Sequence, residues 1–103
     1  MILNKEKLVE AIENYDLLTP VQQKVLSVLV KLELDEEVVL NIKSLAELSK
    51  VTRTSTYKAL DFFQKIELVA VEPGIRKKVI FKLNIKNLEN ILDKYKKIQS
   101  LEK

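Results

Sequence analysis

The sequence predicts a mainly α-helical fold with a small β-sheet, of the α+β class, and three observations lead to this expectation. Residues 45–60, LAELSKVTRTSTYKAL, have the apolar spacing of two short helices joined by a tight turn. Residues 68–83 contain two strand-like runs on either side of a Pro-Gly pair, which is typical of a β-hairpin. Residues 4–17 and 85–101 repeat apolar residues at steps of three and four, so a further helix is expected toward each end.

The two central helices have recognisable start signals. Ser44 is expected to cap the first helix, and Val51 lies in the connection as an apolar plug. Thr52 can cap the second helix by accepting a hydrogen bond from the N–H of Thr54 or Ser55. The apolar side of the first helix is formed by Leu45, Ala46 and Leu48.

The second central helix divides into an inward and an outward side. Helical spacing places four residues inward, namely Thr56, Ala59, Leu60 and Phe63. The remaining polar and basic residues face outward, namely Arg53, Thr54, Tyr57, Lys58 and Asp61. A helix pair that reads DNA needs this division, because the N-terminal part of its second helix enters the major groove.

The run LAELSKVTRTSTYKALDFFQKIELV resembles the winged helix-turn-helix pattern of prokaryotic DNA-binding proteins, including small plasmid and phage regulators, and the following segment resembles the wing. The similarity covers residues 20–83, and its strongest pieces are Leu45-Ala46, Val51-Thr52-Arg53-Thr54 and Ala59-Leu60. The resemblance implies a winged helix-turn-helix fold with additional N- and C-terminal helices, and double-stranded DNA as the partner.

Two positions depart from the pattern of this superfamily. The turn commonly carries Gly where this chain has Lys50, and the recognition helix commonly ends in Gly-Leu where this chain has Glu67-Leu68. A left-handed conformation at a non-Gly residue costs about 1 kcal/mol. Either these helix ends adopt another geometry or the cost is tolerated.

The resemblance also implies where DNA contacts arise. They come from the helix pair and from the cations near the wing tip, namely Ser44, Thr52, Arg53, Thr54, Ser55, Tyr57, Lys58, Arg76, Lys77 and Lys78. Arg53 is the preferred base reader, because a guanidinium can pair bidentately with guanine. The wing cations fit phosphate contacts, although a charged hairpin tip that merely keeps the protein soluble would carry the same cluster.

Composition restricts the chemistry. The 103 residues contain no Cys and no His, so the usual zinc ligands and the commonest general base are missing. No catalytic residue, metal, cofactor or small-molecule ligand is therefore predicted. The net charge of +3 divides into −4 for residues 1–37, +2 for 38–67 and +5 for 68–103, a distribution that suits a protein with one side on a polyanion.

No apolar run is long enough to span a bilayer, and no signal peptide pattern is present, so a cytoplasmic protein associated with the nucleoid or a plasmid is expected. One domain is expected over residues 1–103, with a core at 20–83. The flanking helices, 4–17 and 85–101, are expected to pack on this core or to form a homodimer interface.

The elements outside the central helix pair have their own signals. A first helix is expected from Asn4 to about Leu17, and Thr19-Pro20-Val21-Gln22 signals a second that continues to about Leu34. The core stripe of the second helix is predicted as Val21, Val25, Val28, Leu29 and Leu32. Asp35-Glu36-Glu37 is interpreted as a solvated acidic turn rather than a cation site, because its spacing fits no calcium loop.

The remaining segments complete the expected sheet and the last helix. Residues 38–42 are predicted to form a strand that pairs with the wing. Pro73 and Gly74 suit a type II turn, with positive φ at the glycine. The last helix is expected to begin near Asn84 or Asn87.

Three functions remain open from the sequence. The first is a homodimeric transcriptional repressor, the default by analogy with the superfamily. The second is a centromere-binding partition adaptor or replication control protein of a plasmid or phage. The third, from a different class, is a protein–protein interaction module, suggested by the acidic N-terminal half and by Phe62 and Ile66. These two residues form a second apolar strip that either covers the C-terminal helix of the same chain or forms a subunit interface.

Overall fold

The computed structural model describes residues 3–101 and contains five helices and three strands in this part of the chain. They are α1 Lys5–Glu13, α2 Pro20–Leu32, β1 Glu37–Leu40, α3 Ile42–Ser49, α4 Arg53–Lys65, β2 Val69–Pro73, β3 Val79–Leu83 and α5 Ile85–Leu101. The strands form one antiparallel sheet in the order β1-β3-β2. The predicted α+β class is confirmed.

Helix α1 begins as predicted, with the Asn4 side chain accepting a hydrogen bond from the Lys7 N–H at 3.2 Å. It ends at Glu13, and the prediction of about Leu17 is wrong. The Asn14 side chain donates to the Glu10 carbonyl at 2.8 Å, a local bond that competes with continued helix. Leu17 is consequently 70% exposed in the connection to α2.

Helix α2 has the predicted capping box. The Thr19 hydroxyl accepts from the Gln22 N–H at 3.2 Å, and the Thr19 N–H donates to the Gln22 side chain at 3.0 Å. The predicted core stripe is only partly correct, because Leu32 is exposed. Helix α2 contacts α1, α3 and α4, so its buried side is wider than one stripe and comprises Val25, Leu26, Ser27, Leu29 and Val30.

Helix α3 starts earlier than predicted. The Asn41 side chain accepts from the Ser44 N–H at 2.7 Å, so Asn41 is the N-cap and Ser44 lies inside the first turn. The prediction of Ser44 as the cap is therefore wrong, and so is the extension of β1 to Ile42. Leu48, expected on the apolar side of this helix, is exposed, whereas Ser49 is buried.

The two residues that depart from the superfamily pattern, Lys50 and Glu67, have left-handed backbone conformations at the ends of α3 and α4. Lys50 has φ 58° and Glu67 has φ 59°. The N–H of Val51 donates to the Ala46 carbonyl at 3.1 Å and that of Leu68 to the Phe63 carbonyl at 2.8 Å, the six-to-one bond of a Schellman motif in each case. These bonds and the burial of the residue that follows offset a strain of about 1–2 kcal/mol.

The hairpin of β2 and β3 forms the predicted wing, and β1 pairs with β3 as expected, with Val38 opposite Phe81. The predicted type II turn is wrong, because Gly74 does not have positive φ and the left-handed residue is Arg76, with φ 63°. A Cβ at Gly74 would lie 2.8 Å from the Lys78 carbonyl oxygen, to which the Gly74 N–H donates. Glycine is needed here for a close backbone approach.

Glu33 joins α1, α2 and the acidic turn. Its buried carboxylate lies 3.1 Å from the Lys5 ammonium and accepts from the Glu36 N–H at 2.8 Å, while its carbonyl accepts from Lys5 at 2.7 Å. Burial raises the pKa of Glu33, but the bonds from Glu36 and Lys5 outweigh it and hold the pKa below its ordinary value. The turn has positive φ at Asp35 and Glu36, so Glu33 fixes a strained backbone.

Helix α5 begins after Asn84, whose side chain accepts from the Asn87 N–H at 3.2 Å, one of the two starts expected. Its first turns bury Leu88, Ile91 and Leu92 and contact α1. Near its end Ile98 is 53% exposed and Leu101 is 86% exposed. None of the helices within residues 3–101 has the length and apolar character of a membrane-spanning segment.

Candidate nucleic-acid interface

The start of α4 is fixed by Thr52, as predicted. Its hydroxyl accepts from the Ser55 N–H and donates to the Ser55 hydroxyl, both at 3.0 Å. The buried Thr56 hydroxyl donates to the Thr52 carbonyl at 2.8 Å, so this polar core residue is satisfied. Three of the four hydroxyl residues at positions 52–56 thus give the first turn a defined geometry.

The side chains of α4 divide as the sequence predicts. The inward set is buried, namely Thr56, Ala59, Leu60 and Phe63, and the outward set is exposed, namely Arg53, Thr54, Tyr57, Lys58 and Asp61. Neither Arg53 nor Lys58 forms an ion pair with another residue in the range 3–101. Both cations are therefore available to an external anion or base edge.

The N-terminus of α4 adds backbone donors to these side chains. A helix leaves its first N–H groups without intrahelical acceptors, and among them the Thr52 hydroxyl accepts only from that of Ser55. The N–H groups of Arg53 and Thr54 remain to donate outward. The first turn carries no acidic residue, so nothing there offsets the positive end of the helix dipole.

Ser44 is half-buried in the first turn of α3, with its backbone N–H committed to Asn41. Lys43, which is not among the predicted contact residues, is exposed in the same turn. Asn41 is the sequence signal that points to it, because an N-cap at Asn41 makes Lys43 the second helical residue. Phosphate contacts commonly form at that end of a helix.

The loop between β2 and β3 carries three exposed cations, namely Arg76, Lys77 and Lys78. In the described range none of them pairs with an acid. The next cation along β3 is different, because Lys82 lies 3.1 Å from the Glu72 carboxylate, whose hydrogen bond and charge raise the pKa of Lys82. The wing thus has a neutralised stem and a positively charged tip.

The tip also has an apolar residue, Ile75, which is almost fully exposed. The wing is attached to α4, because β2 packs on that helix. The Asn87 side chain of α5 donates at 2.8 Å to the Glu67 carbonyl, just after the end of α4.

A helix-turn-helix of α3 and α4, followed by a hairpin that pairs with a strand preceding α3, defines a winged helix-turn-helix fold. The chain adopts this fold, with one extra helix on each side of the central unit, as the resemblance implied.

Comparison with known proteins agrees with the fold. No protein-family model and no curated protein sequence matches the chain. Solved structures do match it, at low sequence identity. A MarR-family transcriptional regulator from Silicibacter pomeroyi has a TM-score of 0.61 and 16% identity. The alignment covers 87% of this chain and 60% of the regulator's chain. The YusO protein from Bacillus subtilis has a TM-score of 0.61 and 20% identity, covering 95% and 69%.

A third similar structure, a mutant of the type III plasmid segregation protein TubR, has a TM-score of 0.52 and 20% identity. It is covered almost completely, with 98% of this chain aligned to 97% of that one. The chain therefore spans 60% of the length of the Silicibacter pomeroyi regulator but nearly all of the segregation protein.

The described residues, 3–101, contain no group of three acidic, histidine or cysteine side chains that could hold a metal ion. The same range contains a capped helix with exposed donors, α4, and a cationic loop between β2 and β3. Their arrangement suits binding of an extended polyanion.

Proposed function

We propose that the protein binds double-stranded DNA sequence-specifically and acts as a homodimeric transcription regulator, in the first instance a repressor, rather than as an enzyme. The main support for this proposal is the exposed side of α4, which presents Arg53, Tyr57 and Lys58 on a helix whose start is fixed by Thr52. The fold, and the transcription regulators with the same fold, support this assignment. In the cell the protein would be cytoplasmic and DNA-associated.

In this proposal α4 lies in the major groove. Arg53 and Lys58 contact base edges or phosphates, and Thr54 and Tyr57 add hydrogen bonds and apolar contact. Ser44, Thr52 and Ser55 lie at the helix starts, where hydroxyl and amide groups bind phosphate oxygens. Arg76, Lys77 and Lys78 hold the backbone beside the site, a contact that carries no sequence information.

The proposed dimer uses the flanking helices of the chain. A cleft of about 340 Å³ between the α1–α2 connection, α4 and α5 is bordered by Leu17 and Ile66, both substantially exposed, and by Phe62. Helix α5 continues from this cleft to the exposed Ile98 and Leu101. A second copy that packs along α5 covers these apolar groups and presents two recognition helices to two half-sites.

A partition adaptor of a plasmid or phage is the second candidate. The observation that favours it is length, because the chain and the plasmid segregation protein TubR cover each other almost entirely. In that role the bound DNA is a platform, and the target is a cluster of repeated sites rather than one operator.

Selection of bound duplexes from fragmented source DNA, with affinity measured across a salt series, tests the proposal. We expect an enriched sequence with paired half-sites and an affinity that falls steeply with salt. One enriched promoter site favours repression, and clustered repeats favour partition. Absence of enrichment at low salt would contradict DNA binding and leave the protein-interaction module, with Phe62 and Ile66 as its contact residues.

A further inference from the structure

A second cationic surface lies on α2 and on the turn that precedes α4. A cleft of about 390 Å³ between α2 and α3, the lysine cleft, is lined by Lys24, Lys31 and Lys50, with Val28 and Leu48 as apolar lining. Glu13 contributes one carboxylate. Within residues 3–101 none of the three lysines has an ion-pair partner, so three cations against one carboxylate leave the cleft with a net positive charge.

The lysine cleft also has two unsatisfied hydroxyls. Ser27 and Ser49 line it, are more than nine-tenths buried, and have side-chain oxygens without a hydrogen-bond partner among the described residues. A buried hydroxyl without a partner is unfavourable. Both oxygens have less than 1 Å² of accessible surface, so an occupant rich in acceptor oxygens would neutralise the lysines and accept from the hydroxyls only after the serine side chains rotate toward it.

The same molecule carries a surface of complementary chemistry, the acidic turn formed by residues 34–37. Leu34 is 76% exposed, and the exposed carboxylates of Asp35, Glu36 and Glu37 follow it directly. No lysine or arginine in the range 3–101 lies within ion-pair distance of these three acids, although Glu37 stands opposite Lys82 in the sheet and its charge helps to raise the pKa of Lys82. The backbone of the turn is fixed by the Glu36 N–H, which donates to the Glu33 carboxylate, and by two backbone bonds between Leu34 and Glu37, so the turn is a preformed projection.

We propose that the acidic turn of one copy docks in the lysine cleft of another. Leu34 contacts the apolar lining at Val28 and Leu48, and the carboxylates face the lysines, with the Ser27 and Ser49 side chains rotated toward them. Three acids then oppose three lysines, and partial desolvation strengthens each pair relative to an exposed one. This inference rests on the proposed DNA-binding function, since it assigns the contact to copies bound at neighbouring sites.

The geometry of the chain suits a reciprocal contact. The turn follows α2 directly, and α2 also supplies most of the lysine cleft. Two copies related by a two-fold axis can therefore each provide a turn and a cleft. Neither surface includes a residue of the proposed DNA-contact set, so the contact between copies and the contact with DNA use different side chains.

Cross-linking tests the contact without DNA. The chain has no cysteine, so Lys31→Cys and Glu36→Cys introduce one thiol each. We expect a mixture of the two variants to form a disulfide-linked heterodimer under mild oxidation, well in excess of a matched mixture of Lys86→Cys and Glu36→Cys. Equal yields in both mixtures would overturn the proposed contact, whether or not the protein binds DNA.

Charge exchange tests the role on DNA, with duplexes that contain one selected site or two adjacent sites. Lys24→Glu with Lys31→Glu, or Asp35→Lys with Glu36→Lys, should lower the cooperativity between adjacent sites by about tenfold or more. The variant with all four changes should recover it. Thermal unfolding identifies any variant that fails to fold, and Lys86→Glu with Lys97→Glu is the control for net charge.

The outcomes separate the two proposals. Unchanged cooperativity, or no recovery in the fourfold variant, overturns the contact while single-site binding still supports the DNA function. Loss of single-site affinity in the cleft variant alone would assign the lysines to DNA phosphates instead, which also overturns the contact. Saturation of the cleft by a small carboxylate such as acetate, with no cross-linking, would identify a small-molecule site.

Discussion

At the scale of single residues, a base contact and a phosphate contact respond differently to mutation. Arg53→Ala should remove discrimination worth about 1–3 kcal/mol between the selected sequence and its variants at one base pair. Lys77→Ala should weaken binding to all sequences alike and reduce the slope of log affinity against log salt by about one. Affinity titrations over a sequence panel measure the discrimination, and titrations over a salt series measure the slope. If the two variants changed the discrimination and the slope equally, the assignment of Arg53 to a base and Lys77 to a phosphate would be refuted.

Glu33 provides a second prediction at this scale, on pH. Because its pKa is lower in the folded protein than its ordinary value of 4.5, its charge stabilises the fold above that pH. This stabilisation is lost as the pH falls through the lower, folded pKa. Glu33→Gln should lower the free energy of unfolding by about 1–3 kcal/mol near neutral pH, and by progressively less as the pH becomes more acid.

Thermal unfolding of both proteins between neutral and acid pH measures this difference. The exposed Glu89→Gln is the control and should unfold like the parent protein at every pH. A difference between Glu33→Gln and the parent that stays constant down to the most acid pH would contradict the proposed role of the charge.

At the scale of elements, the helix ends store strain that glycine would remove. Glu67 is left-handed after α4, so Glu67→Gly should stabilise the protein by about 1 kcal/mol. Lys65→Gly, two residues earlier and still helical, should destabilise it by about the same amount. Chemical denaturation of the pair tests the sign, and destabilisation by both variants would show that the Glu67 side chain is needed there.

At the scale of the whole molecule, the exposed apolar end of α5 should determine the oligomeric state. Ile98→Asp with Leu101→Asp should convert a dimer to a monomer and weaken binding to paired half-sites far more than to one half-site. Sedimentation equilibrium measures the first effect and affinity titration the second. Ile75→Asp, an equally apolar exposed position on the wing, is the control and should remain dimeric. A parent protein that is already monomeric would contradict the proposed dimer.

Local signals sufficed for several features in which a residue's role depends on its neighbours in sequence. The Thr19 capping box, the Thr52 cap and the inward and outward sides of α4 were all predicted correctly, because helix periodicity and capping act within a few residues. The pairing of β1 with the wing followed from the superfamily resemblance.

Only the tertiary structure decided the features that depend on contacts between distant segments. Asn41 replaced Ser44 as the cap because β1 ends at Leu40, which is fixed by pairing with β3. Gly74 serves a close approach to Lys78 rather than positive φ, since the wing loop is longer than a two-residue turn. The lysine cleft joins residues of α2 and α3, and no spacing along the chain reveals it, because helix packing alone brings those side chains together.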